Sequence, residues 1–197
     1  MRILPVLFNT DMVQAIQDDR KTVTRRCLKH PFTVHPNGYI TKPRGNENLC
    51  PYEPPYRKGD VLWVRETWGE DVGGSYIYKA DYSEAFTQDP TIDAIGNEIK
   101  WKPSIHMPKA AARIWLEVLD VKVERLQDMT LDDFLNEGIS IPYEAFNDPA
   151  NAYMQAKEIF MHIWNSTINK KQRNLYDWDA NPYVWVISFK RTDRPNI

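Results

Sequence analysis

The sequence predicts an α+β fold, a mixed or antiparallel sheet or small barrel with peripheral helices, and three observations lead there. Ile114, Leu116, Val118, Val121 and Val123 alternate through 113–124 as a half-buried strand does, with a bulge expected near Leu119 and Asp120. Ala152, Ala156, Ile159, Phe160, Ile163 and Trp164 instead keep a 3.6-residue period, the mark of an amphipathic helix. Fourteen prolines against eight glycines predict rigid, irregular connections rather than a flexible linker, so a single domain over 1–197 is expected.

Taken in order, residues 3–8 read as a buried strand, followed by a short amphipathic helix that ends near Arg20. The stretch from Cys27 to Tyr56 is rich in Pro, Asn and Gly and reads as a loop, long enough to be a candidate lid. Lys58-Gly59-Asp60 is a turn that launches the apolar strand Val61–Arg65. Tyr76-Ile77-Tyr78 reads as a strand, with a polar stretch after it. Thr130 with Asp133 three positions on forms a capping box for a helix that stops near Gly138. Asp148 as N-cap and Pro149 at the first helical position start the longer helix. Tyr183 to Phe189, β-branched and aromatic, closes the chain as a strand.

Composition narrows the function. With a net charge of −2, any contact with nucleic acid must come from a local patch. Two cysteines are too few for a disulfide framework and suit a reducing cytoplasm. The N-terminal apolar run is too short for a signal segment, and no stretch has the length of a membrane span. The expectation is a cytoplasmic protein with no membrane partner.

The densest chemistry lies in Arg20-Lys21-Thr22-Val23-Thr24-Arg25-Arg26. A helical turn there would set the Lys21 ammonium beside the Thr24 hydroxyl, whereas a strand would point them to opposite faces. On local sequence alone, a basic helix end favoured by the macrodipole is the better account of the run.

Together with Asp19, this run resembles the Gly-x-Lys-x-x-Thr-x-Arg signature of ASCH domains, which have a PUA-like β-barrel. Three further segments resemble that family in order: Tyr56 to Val64, Thr130 to Ile139, and Tyr183 to Phe189. On this reading 27–56, 69–104 and 140–182 are elaborations, as in larger members carried by phages and prophages. Asp19 stands where the family has glycine.

The resemblance implies chemistry. Small bacterial ASCH proteins include amidohydrolases of N4-acetylcytidine that need no cofactor, with a threonine nucleophile, an activating lysine and a glutamate acid/base. Carried across, these roles fall on Thr24, Lys21 and Glu137, with the substrate a modified nucleoside. A non-catalytic RNA-binding module and an RNA-cleaving ASCH enzyme are the alternatives. Arg25 and Arg26 are candidates to depress the lysine pKa or to hold substrate, and Arg26 to stabilise an oxyanion. Glu66 is either a pocket carboxylate or an arginine's partner, and Glu137 is otherwise a solvated helix end.

Trp63, Trp68 and Trp101 are candidate platforms for a base, of which Trp68, just past a strand end, is the best placed as a pocket wall. Trp63, Trp115 and Trp185 read as core. Cys27, His30, His35 and Cys50 share one loop without a common zinc spacing, so no metal is expected. His106 is either a buried hydrogen-bonded residue or a ligand contact, and the run 169–174 is a basic, solvated loop.

Overall fold

The computed structural model describes residues 1–37, 39–44, 48–82 and 99–195. The middle of the second predicted elaboration, residues 83–98, therefore lies outside the described residues.

The described residues form ten strands: β1 (Ile3–Leu7), β2 (Val23–Cys27), β3 (Thr33–Val34), β4 (Ile40–Arg44), β5 (Asn48–Pro51), β6 (Val61–Arg65), β7 (Trp68–Glu70), β8 (Tyr76–Tyr78), β9 (Trp115–Arg125) and β10 (Tyr183–Thr192). Among the described residues four α-helices join them: α1 (Thr10–Gln17), α2 (Leu131–Asn136), α3 (Pro149–Thr167) and α4 (Arg173–Tyr176). A five-stranded mixed sheet runs in the order β1-β6-β9-β10-β2, with β1 parallel to β6. No closed barrel is found among the described residues. Nor is any described helix long and apolar enough to cross a membrane.

The chain divides into two compact units. One comprises Met1–Arg20, Gly59–Val118 and Phe189–Ile197. Its apolar cluster packs Val61, Trp68, Met107, Ala111, Ala112 and Trp115, with Trp63 half-buried against them. The other comprises Lys21–Lys58 and Leu119–Ser188, and its core packs Phe134, Phe160, Trp164 and Trp178 with Val184 and Val186 of β10.

Both expected helix starts are present. Thr130 and Asp133 form a reciprocal capping box, and Asp148 caps α3 with Pro149 behind it. The loop expected over 27–56 is a correction: it holds the three-stranded antiparallel sheet β3-β4-β5. Its prolines suggested a loop because proline cannot donate to a ladder. Here β3 pairs only with Ile40 and Thr41, so Pro43 lies past its end and its missing N–H costs no bond to β3. The strand Trp68–Glu70, too short to show alternation, is an addition, and the region 140–182 is largely helical.

Candidate functional site

Two helix ends bring the basic run to its partners. At the end of α1, Arg20 N–H donates to Ala15 O at 2.9 Å and Asp19 N–H to Ile16 O at 3.2 Å. This is a Schellman closure, which needs a left-handed residue, and Asp19 supplies it with φ 57°. Asp19 thus holds a conformation that glycine adopts at less steric cost. The end of α2 repeats the motif: Ile139 N–H reaches Phe134 O, Gly138 N–H reaches Leu135 O, and Gly138 has φ 93°. Glu137 is the C-cap residue of that helix.

Lys21 and Glu137 then meet through an antiparallel bridge of their backbones. Lys21 Nζ donates to Glu137 Oε2 at 2.6 Å and to the Glu137 carbonyl at 2.9 Å. Arg25 Nη1 donates to Glu137 Oε1 at 3.2 Å, and its Nη2 reaches Glu124 and Asp133, each at 2.7 Å. Burial pulls the Lys21 pKa down and outweighs the pull of Glu137 in the other direction; Arg26 and Arg25 add to the lowering. Burial also opposes the Arg25 charge, but Glu137, Glu124 and Asp133 outweigh it and raise its pKa. Asp133 is pushed below its ordinary range: desolvation works against this, and the Thr130 and Arg25 hydrogen bonds prevail.

Thr24 is buried in β2, paired with Ile187 of β10, and Arg26 is paired with Trp185. Alternation along the strand sends Thr24 and Arg26 to one face and Arg25 to the other. Lys21, Arg25 and Glu137 are thus brought together around one carboxylate. Arg26 lines an open cleft of about 420 Å³ in the same unit, with Cys27, Tyr52, Tyr56 and Trp185 among its walls. Burial pushes the Cys27 thiol up to about 11, so it is no ready nucleophile.

In the first unit Glu66 is the partner of an arginine. Arg113 Nε and Nη2 donate to its two oxygens at 2.9 Å each, while Arg113 Nη1 holds Asp81 at 2.7 Å. Desolvation raises the Glu66 pKa against the opposing pull of Arg113. Trp68 lies in the apolar cluster with Lys102 Nζ 4.4 Å over its ring, and its buried indole Nε1 has no hydrogen-bond partner among the described residues. Trp101 meets Tyr82 edge-on at 5.3 Å, and Trp63 carries Arg65 over its ring at 5.3 Å.

The two loop histidines are engaged otherwise: His30 stacks on Phe32 at 4.4 Å, and His35 Nε2 is 2.9 Å from Thr41 Oγ1. Among the described residues no group of three or more His, Cys, Asp or Glu is set to hold a metal ion. His106 closes an exposed 3-10 turn, and Lys170, Lys171 and Arg173 are exposed.

Sequence reasoning missed Tyr52, Tyr56, Glu124 and Asp133 as site-forming residues. Asp133 had a visible signal as a cap, but its second bond, to Arg25, depends on a partner 108 residues away. Compared with family models, curated proteins and solved structures, the chain finds no match.

Proposed function

We propose that this chain is an ASCH-type hydrolase of an amide on a modified pyrimidine nucleoside, of the N4-acetylcytidine kind, built on a PUA-like barrel. The observation that carries the reading is the Lys21–Glu137 pair, a lysine wholly enclosed and 2.6 Å from a carboxylate that Arg25 also holds. Enclosure favours the neutral amine, and a neutral lysine is what a base for a threonine hydroxyl must be. Because Arg25 cannot lose its proton, Glu137 keeps a cation when Lys21 is neutral.

Thr24 Oγ attacks the acyl carbon as its proton passes to Lys21. Glu137 relays that proton from the Lys21 ammonium to the nitrogen that leaves, while Arg26 faces the developing oxyanion. Water then hydrolyses the acyl-threonine ester and restores the hydroxyl. The burial-lowered Lys21 pKa gives the rate a rising limb with pH that lies below the range of a free lysine. Incubation with N4-acetylcytidine should release cytidine and acetate. Lys21→Met and Thr24→Val should each lower that rate by ~10²–10⁴. Absence of turnover, or turnover that both variants leave intact, refutes the reading.

One observation favours a second reading, a non-catalytic RNA-binding module. Alternation along β2 directs Thr24 away from the face on which Arg25 meets Glu137. Salt-dependent RNA affinity that falls with Arg26→Gln but not with Thr24→Ser, without turnover, identifies it.

A further inference from the structure

We infer that the β3-β4-β5 segment and the stretch 52–56 that follows it turn the cleft beside β2 into a nucleotide site, which takes a nucleobase together with its phosphate. The inference rests on the nucleobase reading above but concerns an elaboration to which that reading gives no role.

The aromatic wall is built before any ligand arrives. Its stacked rings are Tyr52 and Trp185, near-parallel with centroids 5.9 Å apart, and Phe32 and His30, outside the lining, extend the stack from Tyr52 at 6.2 and 4.4 Å. Tyr52 cannot swing freely: its hydroxyl accepts from Lys29 N–H at 2.9 Å and donates to Lys29 O at 3.2 Å. Its own N–H is held by Ile40 O of β4 at 2.9 Å. A fixed ring loses little freedom when a base stacks on it, which is the condition for stacking to count toward affinity.

The same cleft carries the charge for a phosphate. Lys29 and Lys42 line it and are exposed, and Lys42 Nζ stands 5.2 Å over the Tyr52 ring. Arg26 lines it from β2. One carboxylate, Glu53, is also in the lining, and Arg57 Nη2 holds it at 2.5 Å, which reduces its opposition to an anion. Cations next to aromatic faces match a nucleotide rather than an uncharged nucleoside. Arg26 and Thr24 share a strand face and are two residues apart, or ~7 Å along β2, so a base in this cleft lies about one pleat from Thr24. A second recess of about 390 Å³ shares Tyr52 and Trp185 with the first and gives a neighbouring unit of a strand somewhere to lie.

The test is binding, read by calorimetry on the full chain with cytidine, cytidine 5′-monophosphate and a five-residue cytidylate at two salt concentrations. The monophosphate should bind about tenfold more tightly than cytidine, with a preference that salt weakens. The double variant Lys29→Ala/Lys42→Ala, both at exposed positions, should reduce that preference to what Arg26 alone supplies and weaken the monophosphate more than cytidine. Tyr52→Phe should retain most binding, whereas Tyr52→Leu should lose all three ligands while circular dichroism shows the fold kept. Tighter binding of the five-residue strand than of the monophosphate assigns the site to single strands, and the reverse assigns it to free nucleotides. Equal affinity for cytidine and its monophosphate overturns the inference, as does a preference the lysine variant leaves intact or no binding of any ligand. Turnover is not the readout, so a failed amidase assay does not decide this result, nor this result that assay.

Discussion

The two units each enclose an ion cluster, and the clusters have opposite polarity. In the second unit the cations are interior: Lys21 and Arg25 side chains are 0% exposed, and their carboxylates, led by Glu137 at 5%, lie nearer the surface. In the first unit the anion is interior: Glu66 is 1% exposed and its partner Arg113 25%. Burial pushes each enclosed titratable group toward its neutral form, Lys21 downward and Glu66 upward. Arg25 has no such escape, so it takes three carboxylates instead. An enclosed charge that can neutralise needs one good partner; one that cannot needs several.

Removing Arg25 tests the contrast most severely. Arg25→Gln leaves Glu124, Asp133 and Glu137 around a neutral amide, three carboxylates that lose a shared cation. The expected cost is about 3–5 kcal/mol, the range for breaking a buried pair from one side. Urea denaturation read by tryptophan fluorescence measures it, and a loss below about 1 kcal/mol would show that these carboxylates find water instead. Glu66→Gln should cost less, about 2 kcal/mol. Its oxygen still accepts from Arg113, and Arg113 keeps Asp81 at 2.7 Å. If the two losses come out equal, the claimed asymmetry between the clusters is wrong.

What the sequence made legible follows from how local each signal is. The capping box of α2, the Asp148-Pro149 start of α3 and the alternation of β9 are set within a few residues, and all three are present. The loop reading of 27–56 failed because proline and asparagine are weighed as breakers, while a short sheet tolerates a proline beyond its neighbour's end. The ASCH resemblance pointed to Lys21, Thr24 and Glu137; Lys21 and Glu137 meet, Arg25 joins them, and alternation along β2 sends Thr24 to the other face from Arg25. That Arg25 would bind Glu124 and Asp133 as well as Glu137 was not legible. Such bonds span about a hundred residues, and which face of β2 each arginine takes depends on register, which a run of consecutive basic residues does not reveal.

The smallest effect separates the clusters most cleanly, because it has opposite sign in the two. Lys21 has a folded-state pKa below its unfolded value of 10.5. Between those two values the unfolded chain binds the extra proton, so this residue's contribution to stability rises as pH rises toward 10.5. Glu66 has a folded-state pKa above its unfolded value of 4.5. Between those values the folded chain holds the extra proton, so its contribution is full below the unfolded pKa and falls as pH rises through the folded one. Unfolding free energies should be taken across both windows for the wild type, Lys21→Met and Glu66→Gln. The wild-type-minus-variant difference should climb with pH for Lys21 and drop with pH for Glu66. Both slopes reversed would mean that partner charges, rather than burial, set both titrations, and one slope reversed would mean so for that residue alone.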